Sequence, residues 1–275
     1  MGTRPTVAIL GAGAIGEALA TGLLAAGWAP DEIVLAARRE DRCAEIERAT
    51  GLRCTLDVID AVRSRQVVVV AVKPSDVGHL LRQLDGVIND DQVVVSLAAG
   101  VPIRVFETAL GGVPVIRAMP NTPVRIAEAI TAAARGSHAD DDDLAVAQTV
   151  LSAVGKTIVL DEHLLDAVTA VSGTGPAYVF LLAEALVEAA IREGIPWHAA
   201  EQLVAQTLRG AGMLIAVSDT TPARLRAQVT SPGGTTAAAV HILEERGFRA
   251  IVEDAVRAAA QRSREMGRSA AGEGS

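Results

Sequence analysis

The feature that most limits what this chain can become lies close to its N-terminus. A short apolar run, Val7–Leu10, passes directly into Gly11-Ala12-Gly13-Ala14-Ile15-Gly16 and then into a helical pattern from Glu17 to Ala26. In that setting each glycine has a separate task. Gly11 permits a tight turn, Gly13 lets the backbone approach a pyrophosphate, and Gly16 lets the helix pack closely on the strand. The helix start offers unpaired N–H groups and the positive end of its dipole to the phosphates. The glycine spacing alone is a weak signal. With a strand before it and a helix and a further strand after it, it predicts a dinucleotide site built on Gly11, Ala12, Gly13, Ala14, Ile15 and Gly16.

Beyond that start, β-branched runs alternate with helical patterns up to about Leu160. The candidate strands are Ile33–Ala37, Val67–Val72, Val93–Leu97, Val113–Ala118, Ala129–Ala133 and Thr157–Leu160. Gln66–Val72 shows no polar alternation, which suits a strand buried on both faces of a parallel sheet. The alternation predicts an α/β fold, with a doubly wound, Rossmann-type domain over residues 1–160. After Asp161 the strand signals stop and Leu165–Val171, Pro176–Glu193, His198–Val217, Pro222–Val229, Thr236–Glu245 and Arg249–Met266 read as helices. These make an all-α second domain over 161–267, followed by a small polar tail, 268–275, expected to be disordered. Within this half, Val179–Ile191 is apolar apart from Glu184 and Glu188. A helix like that needs cover on several sides, and a second subunit is the simplest cover, so a homodimer is expected.

Composition narrows the function. A net charge of −8 argues against a nucleic-acid partner, which would normally meet a basic face. The run Asp140–Asp143 precedes an apolar-periodic segment, where acids complement the positive end of a helix dipole. The five histidines are scattered without ligand spacing, so no metal site is expected. Cys43 and Cys54 cannot build a disulfide framework and do not form a Cys-x-x-Cys pair. No signal peptide is expected ahead of Thr6–Leu10, and no uninterrupted apolar stretch reaches membrane-spanning length. A soluble cytoplasmic enzyme acting on a small molecule is the expectation.

Two strand ends bear on the cofactor. The second strand ends in Ala36-Ala37-Arg38-Arg39, with no acid before Glu40. A free ribose 2′-hydroxyl usually meets Asp or Glu there, whereas a 2′-phosphate wants Arg. NADPH is therefore expected at Arg38 and Arg39, with NADH as the alternative. The next strand ends in Ala71-Val72-Lys73-Pro74, and ligands of open α/β sheets sit beyond such carboxyl ends. Lys73 is one of only two lysines, against 23 arginines.

Three further segments are too unusual to be scaffold alone. Met119-Pro120-Asn121-Thr122-Pro123 follows a strand end, with two prolines fixing the backbone around polar groups. Ser172-Gly-Thr-Gly-Pro176-Ala-Tyr178 is expected to break the surrounding helical pattern with a sharp bend. Thr230-Ser231-Pro-Gly-Gly234-Thr235-Thr236 places glycines and hydroxyls before a helix start, which suits either a carboxylate cradle or a simple N-cap.

Taken in order, these motifs resemble the pyrroline-5-carboxylate reductases, from about Thr6 to Met266, and the Leu225–Glu244 stretch resembles that family's signature. Two departures stand out. Thr174 occupies a position where many members carry Ser, and the Asn with which some members contact the adenosine end of the cofactor has no polar match, although Asp57 lies nearby. The resemblance implies reduction of L-1-pyrroline-5-carboxylate to L-proline with NADPH or NADH, by an interlocked dimer often assembled into rings. It implies that Ser231, Gly234, Thr235 and Thr236 bind the substrate carboxylate, part of the loop coming from a partner subunit. Met119 and Asn121 would then lie near the nicotinamide, and Ala71, Lys73 and Pro74 would line the cofactor. Thr236 is the first candidate for orienting the imine proton and Lys73 the second.

Two rivals remain at this stage. A hydroxyacid dehydrogenase of similar plan needs a lysine in its second domain, and none follows Lys156. A non-catalytic NADPH-binding redox sensor would need the cofactor site but no carboxylate cradle.

Overall fold

The computed structural model describes residues 4–270. Its elements run β1 (Val7–Leu10), α1 (Ala14–Ala25), β2 (Ile33–Ala36), α2 (Glu40–Thr50), β3 (Arg53–Thr55), α3 (Val58–Val62), β4 (Val67–Val70), α4 (Pro74–Leu84), β5 (Val93–Ser96), α5 (Ile103–Leu110), β6 (Val115–Met119), β7 (Ala129–Arg135), α6 (Asp141–Leu151) and β8 (Gly155–Val159). Helices follow: α7 (Leu165–Val168), α8 (Gly175–Arg192), α9 (Trp197–Val217), α10 (Pro222–Gln228), α11 (Thr235–Glu245) and α12 (Phe248–Ala270). Contacts divide the chain into one unit up to Thr174 that also takes in the chain from Ala258 on, and a second unit, Gly175–Arg257. The division therefore falls later than the loss of strand signal at Asp161, and α12 contributes to both units.

The first unit is built on one sheet in the order β3-β2-β1-β4-β5-β6-β7-β8. All pairs are parallel except β6 with β7. Strand order reverses between β1 and β4, the place where open α/β sheets bind ligands. The valine run of β4 explains its central position, since its side chains alternate between two apolar layers. Val67 and Val69 pack in the layer of Ile9 and Leu35, while Val68 and Val70 share the other layer with Leu10 and Phe106. Asp140 caps α6 by accepting the Asp143 N–H at 2.9 Å, so the acidic run is a helix start.

Four departures from the sequence reading have physical causes. The first is β3, a three-residue edge strand paired only with β2 and lacking an apolar alternation to betray it. The second is a disulfide between Cys43 on α2 and Cys54 on β3, with their Cα atoms 5.0 Å apart. The turn at Gly51 folds the strand back along the helix and brings these two residues together.

The third is the expected bend at Ser172–Tyr178. There the bend is confined to Thr174, between α8 and a π-turn, Thr169–Gly173, in which the Thr174 N–H reaches back five residues to the Thr169 carbonyl at 2.8 Å. Pro176 has no backbone N–H to donate, and a widened turn with a one-residue bend before α8 accommodates that. As a result Glu162–Arg192 forms one 31-residue helical stretch, long and apolar enough to cross a membrane by length and composition. The sequence shows no such span because the Gly-Thr-Gly-Pro segment divides it.

The fourth is the end of the chain. Helix α12 continues to Ala270, so residues 268–270 of the expected tail are helical, and residues 271–275 lie outside the described residues. Gly267 is required there, because a Cβ would collide with the carbonyl oxygen of Gly100.

The second unit has almost no interior of its own. Only Ala200 and Val204 are buried among its apolar residues, whereas Phe180 and Leu181 of α8 are 62% and 66% exposed. Contiguous apolar surface on this scale marks a face that another molecule covers.

Candidate cofactor and substrate sites

The glycine loop has the geometry that its spacing predicts. Gly11 holds φ at +116°, donates its N–H to the Ala36 carbonyl at 2.9 Å, and passes so close to Ala71 that a Cβ would stand 2.6 Å from that carbonyl oxygen. A Cβ on Gly16 would collide with the Gly11 carbonyl oxygen. Gly13 differs from both: it caps α1 without a side-chain bond, and nothing lies within 4 Å of where its Cβ would be. Two glycines thus close the loop onto the sheet and the third leaves its face open. That open backbone at a helix start is what a pyrophosphate needs.

A cleft of about 560 Å³ opens at this point. It brings together Gly11, Ala12, Gly13, Ala71 and Lys73 from the ends of β1 and β4, with Arg38 and Arg39 from the end of β2. Ala14, Ile15 and Gly16 form the first turn of α1, and Pro74 begins α4; none of these four lines the cleft itself. Lys73 caps α4 and is exposed.

Three arginines line the cleft, and they differ in how firmly they are held. The side chains of Arg38 and Arg39 are 76% and 73% exposed, and each has one loose acidic neighbour, Asp76 at 3.1 Å and Asp41 at 3.4 Å. Exposed pairs of this kind are worth at most about 1 kcal/mol. A 2′-phosphate could recruit both guanidiniums at little cost. Arg42 also lines the cleft, but its side chain is only 18% exposed and donates to Glu17, Glu45 and the Ala12 carbonyl. Hydrogen bonds to Glu45 and Glu17 raise its pKa further above the usual arginine value, so its charge is permanent. Asp57 is committed to α3, where it accepts the Ile59 N–H at 2.9 Å, and Leu56 and Val58 line the cleft beside it.

At the end of β6, Asn121 accepts the Ile130 N–H at 3.1 Å through its side-chain carbonyl, which pins the Met-Pro-Asn-Thr-Pro loop to β7. Met119 is half-buried and faces Gly173 of the π-turn. In that turn the Ser172 hydroxyl donates to the Val168 carbonyl at 3.1 Å and the Thr174 hydroxyl to the Thr169 carbonyl at 3.0 Å. Both hydroxyls stabilise the widened turn in this structure.

In the second unit, Gly233 turns the chain at φ +73° into the start of α11, with Gly234 as its cap. Gly234 supplies no side-chain acceptor, so the first N–H groups of α11 at Thr235 and Thr236 are left without a side-chain cap. The loop is anchored behind by the Thr230 hydroxyl, which donates to the Arg226 carbonyl at 2.6 Å, and by Glu244, which binds Arg226 and Arg249. These two arginines hold the Glu244 carboxyl below the ordinary carboxylate range, Arg249 contributing most. Ser231, Gly234, Thr235 and Thr236 do not line the cleft of the first unit.

Sequence reasoning missed Arg42, whose partner Glu17 sits 25 residues away on α1. The available signal was an acid in the first turn of α1 facing an arginine in the first turn of α2.

Comparison with known proteins completes the description of the site. Residues 162–266 match a family model described as pyrroline-5-carboxylate reductase dimerisation, and residues 6–100 match one described as NADP oxidoreductase, coenzyme F420-dependent. The chain is 42% identical to a pyrroline-5-carboxylate reductase of Mycobacterium tuberculosis, covering 94% of this chain and 96% of the relative. It is 39% identical to that of Corynebacterium melassecola, covering 96% and 99%. Among solved structures, a pyrroline-5-carboxylate reductase from Coxiella burnetii superposes with a TM-score of 0.91 at 33% identity, covering 96% of this chain and 99% of the other. A Plasmodium falciparum pyrroline carboxylate reductase with NADP bound superposes at 0.86 and 27% identity, covering 96% and 98%.

Proposed function

Because the chain belongs to the pyrroline-5-carboxylate reductase family, we propose an assignment of its residues to the steps of that reaction. The protein is an NADP-dependent oxidoreductase that reduces L-1-pyrroline-5-carboxylate to L-proline, completing proline biosynthesis. The observation that carries the assignment is the uncapped start of α11 beside the hydroxyls of Ser231, Thr235 and Thr236. A protein that only sensed the cofactor would have no use for such an anion cradle.

When bound, the reduced nicotinamide supplies a hydride to the imine carbon. The remaining tasks fall to the protein. The substrate is a five-membered ring with a protonated C=N bond and a carboxylate. As the hydride adds to carbon, the π pair of C=N moves to nitrogen, and the cationic imine becomes a neutral secondary amine. A protonated imine is already a good electrophile, so positioning supplies much of the rate.

Ser231, Gly234, Thr235 and Thr236 hold the carboxylate through N–H and hydroxyl donors, aided by the helix dipole. The Thr236 hydroxyl orients the ring nitrogen and its proton, with Lys73 as the second candidate. Met119 and Asn121 flank the nicotinamide. Gly11, Ala12, Gly13, Ala14, Ile15 and Gly16 receive the pyrophosphate, Ala71, Lys73 and Pro74 border the cofactor, and Arg38 and Arg39 favour NADPH over NADH. The exposed apolar face of α8 is covered by a second copy of the chain, which supports a homodimer. The enzyme works in the cytoplasm, where reduced nicotinamide cofactors circulate.

Thr236→Ala tests the assignment. It should lower kcat/KM for the imine by at least about tenfold, the loss of one charge-assisted hydrogen bond, while NADPH binds as before. An unchanged rate would remove Thr236 from the mechanism.

A further inference from the structure

Arg42 lines the cofactor cleft, yet its donors point into the protein. The Nε–H donates to the Ala12 carbonyl at 2.8 Å, Nη2 to Glu17 at 2.5 Å, and Nη1 lies 2.6 Å from a Glu45 carboxylate oxygen. We propose that Arg42 is a positioning residue for the cofactor, one that fixes the Ala12 carbonyl and so sets the pyrophosphate loop before NADPH arrives. The inference rests on the cofactor reading above.

One peptide plane links Arg42 to the pyrophosphate loop. The Ala12 carbonyl and the Gly13 N–H belong to the same planar trans unit and point in opposite directions. Holding the oxygen therefore aims the hydrogen. The Ala12 methyl is buried in the core, but Gly13 has nothing within 4 Å of its Cβ direction and brings no side chain to the peptide, and glycine itself tolerates many conformations. Arg42 adds a polar restraint from α2 at the Ala12 carbonyl, while Glu17 fixes the same guanidinium to α1. Three of the five guanidinium N–H groups have protein acceptors, and two carboxylates already outweigh its charge. It is therefore poorly placed to serve as a counter-ion for the 2′-phosphate, a task left to Arg38 and Arg39.

This distinction gives the test. A residue that reads the 2′-phosphate affects NADPH alone, whereas a clamp on the pyrophosphate loop affects NADPH and NADH equally. Fluorescence titration of both cofactors against Arg42→Gln should show both Kd values raised about tenfold, by the same factor, equivalent to about 1.4 kcal/mol. With saturating NADPH, kcat should fall less than threefold and KM for the imine should stay within twofold. Arg42→Lys keeps the charge but has a single nitrogen for three acceptors, and should lie between the wild type and Arg42→Gln.

A rise confined to NADPH would overturn the inference by making Arg42 a direct phosphate ligand. Unchanged Kd values, or equal losses in kcat and in KM for the imine, would overturn it in favour of a role in packing only. If Arg42→Gln does not fold, Glu17→Gln decides: a two- to threefold rise for both cofactors supports the clamp, and no change refutes it. Wild-type protein that binds neither cofactor would overturn the cofactor reading itself, and this inference with it.

Discussion

Met119, the last residue of β6, lies against Gly173 of the π-turn so closely that a Cβ on Gly173 would stand 2.8 Å from the Met119 Cε. The side chain at the end of the strand assigned to the nicotinamide thus lies against the last residue of the π-turn.

Gly173→Ala should act on catalysis more than on stability. The atom it meets is the far end of a flexible side chain, which can move for less than about 1 kcal/mol. The displaced Met119 should lower kcat about fivefold, while thermal unfolding shifts by only a few degrees. A wild-type kcat would mean that the contact has no bearing on the reaction.

Replacing Arg38 and Arg39 together with Ser should shift cofactor preference. Their present ion pairs are exposed and weak, whereas a charge-assisted bond to a phosphate is worth about 1.5–3 kcal/mol. The NADPH/NADH ratio of kcat/KM should fall at least about tenfold. A ratio that stays at the wild-type value would exclude both arginines as readers of the 2′-phosphate.

Arg117 offers a test of stability away from the cofactor. It is buried on β6, bonds Glu162 at 3.1 Å, and lies 3.8 Å from Asp166, which in turn accepts the Ser263 hydroxyl of α12 at 2.6 Å. Arg117→Met would leave two acids facing each other with no counter-charge. A loss of about 3–5 kcal/mol is expected, read as a lower midpoint in thermal or urea unfolding. A midpoint within a degree of wild type would show that solvent already screens the cluster.

The apolar face of α8 should control assembly. Phe180→Glu places a charge on the face proposed to meet a second copy, and light scattering should report a monomer for the variant and a dimer for the wild type. A monomeric wild type would remove the explanation given for the exposed helix.

Which parts of this molecule can be read from its residues follows from where the information is stored. β4 announces itself because burial on both faces forces an unbroken valine run, Val67–Val70. The glycine loop is equally legible, since Gly11 and Gly16 have backbone neighbours that admit no side chain. β3 is silent because a three-residue edge strand with no fully buried residue needs no apolar pattern. The Cys43–Cys54 bridge and the Arg42–Glu17 pair are also silent, for both depend on how α2 lies against other elements. The π-turn is half legible: glycine and proline signal a break, and the chain does bend at Thr174, but a wider turn confines the interruption to that residue.

The most direct test of the whole account is to mix the purified protein with pyrroline-5-carboxylate and NADPH, follow the loss of reduced-nicotinamide absorbance, and identify the product. The account predicts rapid oxidation of NADPH with one L-proline formed per cofactor consumed. A folded protein that binds NADPH yet turns over the imine with neither NADPH nor NADH would contradict it.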